Sequence, residues 1–276
     1  MIRRIQQVVT GVKTSDGAGV SLTRIIGQPA LPRLDPFLML DEFGSDQPSD
    51  YLAGFPPHPH RGFQTVTYML AGRMGHADSV GNQGVIETGG LQWMNAGRGI
   101  IHEEMPRQTD GLLRGFQLWV NLPADEKMSA PGYQDIPSQD VTELEAAPGI
   151  RVRVLAGEFR GIAGPVNTQA VKPLFLDVLA AGNGELSIPL EASHNAFVYC
   201  YEGKVTVAGQ PLFRGQLAVL DKGSTLSLDF DDPARLILVA AKPIGEPVVQ
   251  YGPFVMNSEE EIRQAVMDYQ SGRFTD

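Results

Sequence analysis

Wherever a period is visible along the chain, it is a period of two. Gln64-Thr-Val-Thr-Tyr-Met-Leu70 mixes β-branched, aromatic and long apolar residues and then reaches Ala71-Gly72-Arg73, the pattern of a strand closed by a glycine turn. Ala196-Phe-Val-Tyr-Cys-Tyr-Glu-Gly203-Lys-Val-Thr-Val207 repeats strand, turn and strand. Tyr68 to Arg73 aligns with Tyr199 to Lys204 at a constant offset of 131 residues. Downstream, Gly90-Leu-Gln-Trp-Met is echoed by Gly215-Gln-Leu-Ala-Val, which predicts an internal duplication of one β-unit. Short strands at intervals of about 8–12 residues, each closed by Gly, Pro, Asn or Asp, indicate antiparallel sandwiches or barrels.

The expected architecture is therefore all-β, with two antiparallel barrels and one short helix. The polar, proline-bearing stretch from Glu126 to Pro148 reads as the connection, so residues 1–130 are expected to form an N-terminal barrel and 131–276 a C-terminal barrel that ends in the helix. That helix is predicted where Ser258 and Glu261 make a capping-box pattern ahead of Ile262, Val266 and Tyr269, with Gly272 closing it. Its acidic first turn suits the helix dipole better than catalysis.

Composition narrows the function. The 276 residues hold 31 glycines and 20 prolines, well above the usual combined share of about 12%, as many turns between short strands require. With 22 Lys and Arg against 32 Asp and Glu, the net charge is −10. The basic surface that phosphate backbones demand is missing, which disfavours direct nucleic-acid binding. The N-terminal residues lack the apolar stretch of a signal peptide, and no apolar window approaches the roughly 18 residues of a membrane span. One cysteine, Cys200, leaves no internal disulfide or multi-cysteine metal site. The expectation is a monomer with a cytoplasmic, or nuclear, address.

Four of the five histidines precede residue 103, so any histidine chemistry belongs to the first repeat. His58-Pro-His60 places two imidazoles at i and i+2, on one face of an extended strand. His102-Glu-Glu104 repeats that spacing with a carboxylate second, leaving Glu103 on the other face. Two such pairs facing each other across a barrel would offer one metal three nitrogens and one oxygen, whereas a solvated loop or a hydrogen-bonded histidine pair would also explain His-x-His alone. Arg61 faces an anionic substrate or pairs with an acid. His76 fits a surface hydrogen bond or support of the site, His194 satisfies backbone groups, Cys200 is a core residue, and Asp41-Glu42 stabilises a turn.

Gly54-Phe-Pro-Pro-His58-Pro-His60 through Gly72 resembles the first cupin motif, and Gly97-Arg-Gly99-Ile-Ile-His102 the second. More narrowly, His58 to Tyr68, Gly90 to Pro106 and Pro247 to Ile262 resemble the pirin family, and the likeness spans almost the whole chain. The resemblance implies a bicupin of two cupin-type barrels whose N-terminal barrel holds iron through His58, His60, His102 and Glu104, with no metal in the C-terminal barrel. Gln64 stands where general cupins carry a ligand glutamate. Fe(II) is the implied ion, with Mn, Ni, Co or Cu as other occupants. One activity implied is quercetin 2,3-dioxygenation, in which O2 opens the heterocycle of a small aromatic flavonol and Glu104 accepts the flavonol proton. The alternative is a non-enzymatic, iron-dependent regulator that binds a protein partner such as a transcription factor or metabolic enzyme.

Overall fold

A strand whose side chains alternate between apolar and polar can bury one face only, and the chain meets this demand with two separate sandwiches. The computed structural model describes every residue except Asn167, Gln169 and Asp276. It divides into two compact units, each of which pairs a seven-stranded with a four-stranded antiparallel sheet around apolar residues.

One unit comprises Met1–Val12, Gln28–Pro36 and Gln139–Pro243. Its larger sheet runs, in spatial order, Ile5–Thr10, Gln216–Leu220, Asn195–Glu202, Ala234–Ala241, Leu174–Ala180, Ile150–Ala156 and Thr142–Ala147. Val198, Leu238 and Leu176 of that sheet share a core with Ile188, Val205 and Leu228 of the smaller one. Cys200 lies in this core, as expected.

The other unit comprises Lys13–Gly27, Phe37–Ser138 and Ile244–Asp276. Its larger sheet runs Gly132–Ile136, Leu91–Asn95, Phe63–Ala71, Leu113–Asn121, Phe37–Ser45, Val20–Ile26 and Val12–Asp16, and its smaller sheet runs Phe55–His60, Ile100–Pro106, Arg73–Asp78 and Gln83–Glu87. The repeat read from the sequence is visible here. Phe63–Ala71 and Asn195–Glu202 hold the same place in their sheets, as do Leu91–Asn95 and Gln216–Leu220.

The boundary at residue 130 does not describe these units. Ile5–Thr10 pairs with Gln216–Leu220, at the edge of the later sheet, while residues 244–276 return to the unit that contains His58. The stretch from 126 to 148 is not a plain connection either, because Gly132–Ile136 and Thr142–Ala147 are strands. Both are edge strands, paired on one side and largely uncovered, so they carry little of the apolar signature that marks inner strands.

The helix forms over Glu259–Gln270, with Ser258 Oγ accepting from the Glu261 amide and the Glu261 carboxylate accepting from the Ser258 amide. It buries Ile262 and Ala265 against Phe254, Met256 and Phe274. No helix among the described residues is long and apolar enough to cross a membrane.

A buried ammonium fastens this returning segment. Lys127, 1% exposed, donates from Nζ to the carbonyls of Gly62 and Val255 and to Asn121 Oδ1 at 2.7–2.9 Å. Gly62, at φ +86°, approaches so closely that a Cβ would stand 2.0 Å from the Val255 oxygen. Lys127→Met strands three buried acceptors and is expected to lower stability by about 2–4 kcal/mol, read as a shift of the urea midpoint at unchanged slope.

Candidate metal centre

The site begins with two neighbouring strands. Phe55–His60 and Ile100–Pro106 pair antiparallel with His58 directly opposite His102 and His60 opposite Ile100. Residues opposite each other in such a pair present side chains to the same face, and alternation adds His60 to that face. The expectation of two ligand pairs facing across a barrel is thus corrected: they lie side by side in one sheet. Glycine permits the second strand's start, since Gly99 has φ +146° and a Cβ there would meet the Phe274 carbonyl at 2.5 Å.

The outcome is a tight group of three imidazoles. His58, His60 and His102 each offer a ring nitrogen, and these lie within 4.8 Å of one another. Ring centroids are 4.5–5.0 Å apart. His58 Nδ1 donates to the Pro56 carbonyl at 2.8 Å, which directs Nε2 away from that bond. His60 is wedged edge-on against Phe63 and Trp119.

Buried polar atoms are as a rule hydrogen-bonded, yet His60 Nδ1 and both ring nitrogens of His102 have no partner. Burial, followed by the adjacent imidazoles, holds His60 and His102 well below the usual histidine range, so both rings are neutral and carry lone pairs. A divalent cation fits this donor set.

Glu104 stands beside the triad, outside the group of mutually close ligand atoms. Its carboxylate is buried, accepting from Thr67 Oγ1 at 2.8 Å on Oε1 and from Gln117 Nε2 at 2.9 Å on Oε2. Burial raises its pKa, opposed chiefly by His58 and the Thr67 hydroxyl. Thr67 and Gln117 belong to a polar row that crosses the larger sheet at register-paired positions: Arg24, Asp41, Gln117, Thr67, Gln92 and Asp135. Alternation puts Gln64 on the other face of its strand, where its Oε1 accepts from the Trp93 indole at 3.1 Å. It does not face the triad.

Other residues resolve as follows. Arg61 is turned away from the cavity: its guanidinium donates to Asp268 at 2.7 Å and to the Phe274 carbonyl, and stacks over the Phe274 ring. Asp41 and Glu42 are strand residues, not turn residues, and pair with Arg24 and Arg114. His76 is buried, with neither ring nitrogen hydrogen-bonded; its Nε2 is 3.3 Å from the Asp135 carboxylate without hydrogen-bond geometry. A surface role for His76 is therefore ruled out by its position. The carbonyl of His194 accepts from Arg3.

His58, His60 and Glu104 line a cavity of about 560 Å³ whose apolar wall includes Met39, Phe43, Phe55 and Trp119 and whose polar wall includes Asp16, Arg24 and Asp41. This volume lies in the range of small-molecule sites. Thr67, Gln117, Arg24 and Trp119 were not foreseen from sequence. Polar residues at alternate positions of otherwise buried strands are the signal for Thr67, Gln117 and Arg24, whereas Trp119 carries none.

Comparison with known proteins identifies the family. Residues 19–120 match the family model described as Pirin, and residues 175–275 match the Pirin C-terminal cupin domain. A pirin-like protein of Caulobacter vibrioides is 50% identical over 274 residues, covering 99% of each chain. Human pirin is 40% identical, covering 98% of this chain and 93% of its own. Among solved structures, quercetin 2,3-dioxygenase from Acinetobacter baumannii superposes with a TM-score of 0.93 at 31% identity, covering 99% of both chains. With both of its cupin units matched, the chain belongs to the pirin family.

Proposed function

We propose that the protein is a metal-dependent dioxygenase that opens the heterocycle of a flavonol such as quercetin with O2, acting in the cytoplasm. His58, His60, His102 and Glu104 are the proposed ligands, with Fe(II) the preferred ion and Mn, Ni, Co or Cu as alternatives. The observation that carries this reading is the cluster of three imidazoles, two of them buried with orphaned ring nitrogens, beside an aromatic-lined cavity that His58, His60 and Glu104 line. The likeness to a solved quercetin 2,3-dioxygenase supports it. When bound, the metal supplies Lewis-acid and redox chemistry for reaction with dioxygen.

The protein's own residues supply the rest. Phe43, Phe55 and Trp119 offer a slot for a flat ring system and exclude water from it. The hydrogen bonds from Thr67 and Gln117 occupy one lone pair on each Glu104 oxygen. Each oxygen keeps a second lone pair, so one serves the cation and the other accepts the proton of the flavonol 3-hydroxyl. That proton transfer leaves the enolate from which the ring is opened with loss of carbon monoxide.

Three measurements follow. Metal-loaded protein is expected to consume quercetin with equal amounts of dioxygen taken up and carbon monoxide released; if it consumes none, the reading passes to the non-enzymatic regulator of a protein partner. His60→Ala is expected to lose most of its metal by elemental analysis while circular dichroism stays unchanged, and full occupancy would overturn the ligand assignment. Glu104→Gln keeps size and one coordinating oxygen but removes the base. Its turnover per bound metal is expected to fall about 10²–10⁴-fold, and an unchanged rate per metal would remove that role.

A further inference from the structure

The cavity has a second polar feature that the metal chemistry does not use. Asp41 is 2% exposed yet lies on the cavity wall. Arg24 holds it as a fork, Nε to Oδ1 at 3.0 Å and Nη2 to Oδ2 at 2.8 Å, and the same Nη2 reaches Asp16 Oδ2 at 2.8 Å. Around it the wall is Met39, Phe43 and Trp119. A buried ion pair contributes no more to stability than well-packed apolar residues of the same volume, so strand pairing alone gives no reason to place one in an apolar slot.

Its chemistry is that of a hydroxyl receptor. Each Asp41 oxygen accepts one arginine N–H and retains a second acceptor position. Two carboxylates face one guanidinium, so this part of the wall carries net negative charge, which favours O–H donors and repels carboxylates and phosphates. Asp41 is paired in register with Gln117, the residue that holds Glu104, and Arg24 is one strand further on. At about 4.8 Å per strand, the pair stands on the order of 5–10 Å along the sheet from Gln117, a distance that a fused aromatic ring system spans.

We propose that the Arg24–Asp41 pair is an anchoring subsite for a phenolic hydroxyl borne by the substrate away from the metal centre, so that the site selects neutral polyhydroxylated aromatics. The proposal rests on the reading of this cavity as a flavonol site, and its test separates the two. Luteolin carries several phenolic hydroxyls, flavone carries none, and neither has the 3-hydroxyl that flavonol opening requires. Binding of each to the full-length, metal-loaded protein is read anaerobically by quenching of tryptophan fluorescence.

The parent is expected to bind luteolin about tenfold or more tightly than flavone, the scale of one hydrogen bond to a charged group. Asp41→Asn is expected to bring that ratio below about threefold, with flavone affinity unchanged. Arg24→Lys keeps the charge but loses the fork and is expected to weaken luteolin binding in the same direction, which keeps the test open should Asp41→Asn misfold. No preference in the parent, or an undiminished ratio in a folded variant, overturns the subsite. Failure of flavonol turnover with the luteolin preference intact would overturn the dioxygenase reading alone.

Discussion

The site depends on one antiparallel register. His58 and His102 are directly opposed across two hydrogen-bonded strands, and a slip of one residue would send either imidazole to the other face. His60 follows by alternation. The surrounding structure can be read as what holds this register. Gly62 and Gly99 let the strand ends approach other backbone at distances no side chain tolerates, and Lys127 joins the Gly62 carbonyl to Val255 and Asn121.

The C-terminal segment works to the same end. Residues 244–276 return to the unit that bears the histidines, and Asp268 and Phe274 hold the guanidinium of Arg61, the residue next to His60. These contacts from both terminal nitrogens of Arg61 anchor the strand that carries His58 and His60 behind the triad. Gln250, Gly252 and Pro253 from this segment also line the cavity. Thus the last residues of the chain take part in building the first repeat's site.

Facing the triad, the larger sheet presents a row of polar side chains, one on each of six of its seven strands, between more apolar rows. Its middle members hold Glu104 in a single orientation, and Arg24 with Asp41 adds a polar stretch to an otherwise apolar wall. Burial pushes Asp41 and Glu104 toward their neutral forms, and their hydrogen-bond partners oppose that shift. The partners offset burial only in part, so any change to a neighbour reaches the site.

What the sequence determined by itself is what local pattern encodes. Period-two alternation and the repeat at 131 residues specified two antiparallel β-units; Ser258 and Glu261 specified the helix start; His-x-His and His-Glu-Glu specified which side chains share a face. Each depends on residues a few positions apart. The tertiary structure decided what depends on distant partners: that the two histidine-bearing strands are neighbours, that Arg61 meets Asp268, that Gln64 meets Trp93, and that Ile5–Thr10 and residues 244–276 exchange units. Strand pairing is set by contacts between distant residues, from tens of positions apart for His58 and His102 to about two hundred for Thr10 and Gln216, and an edge strand or an ion pair leaves no periodic trace from which its partner could be read.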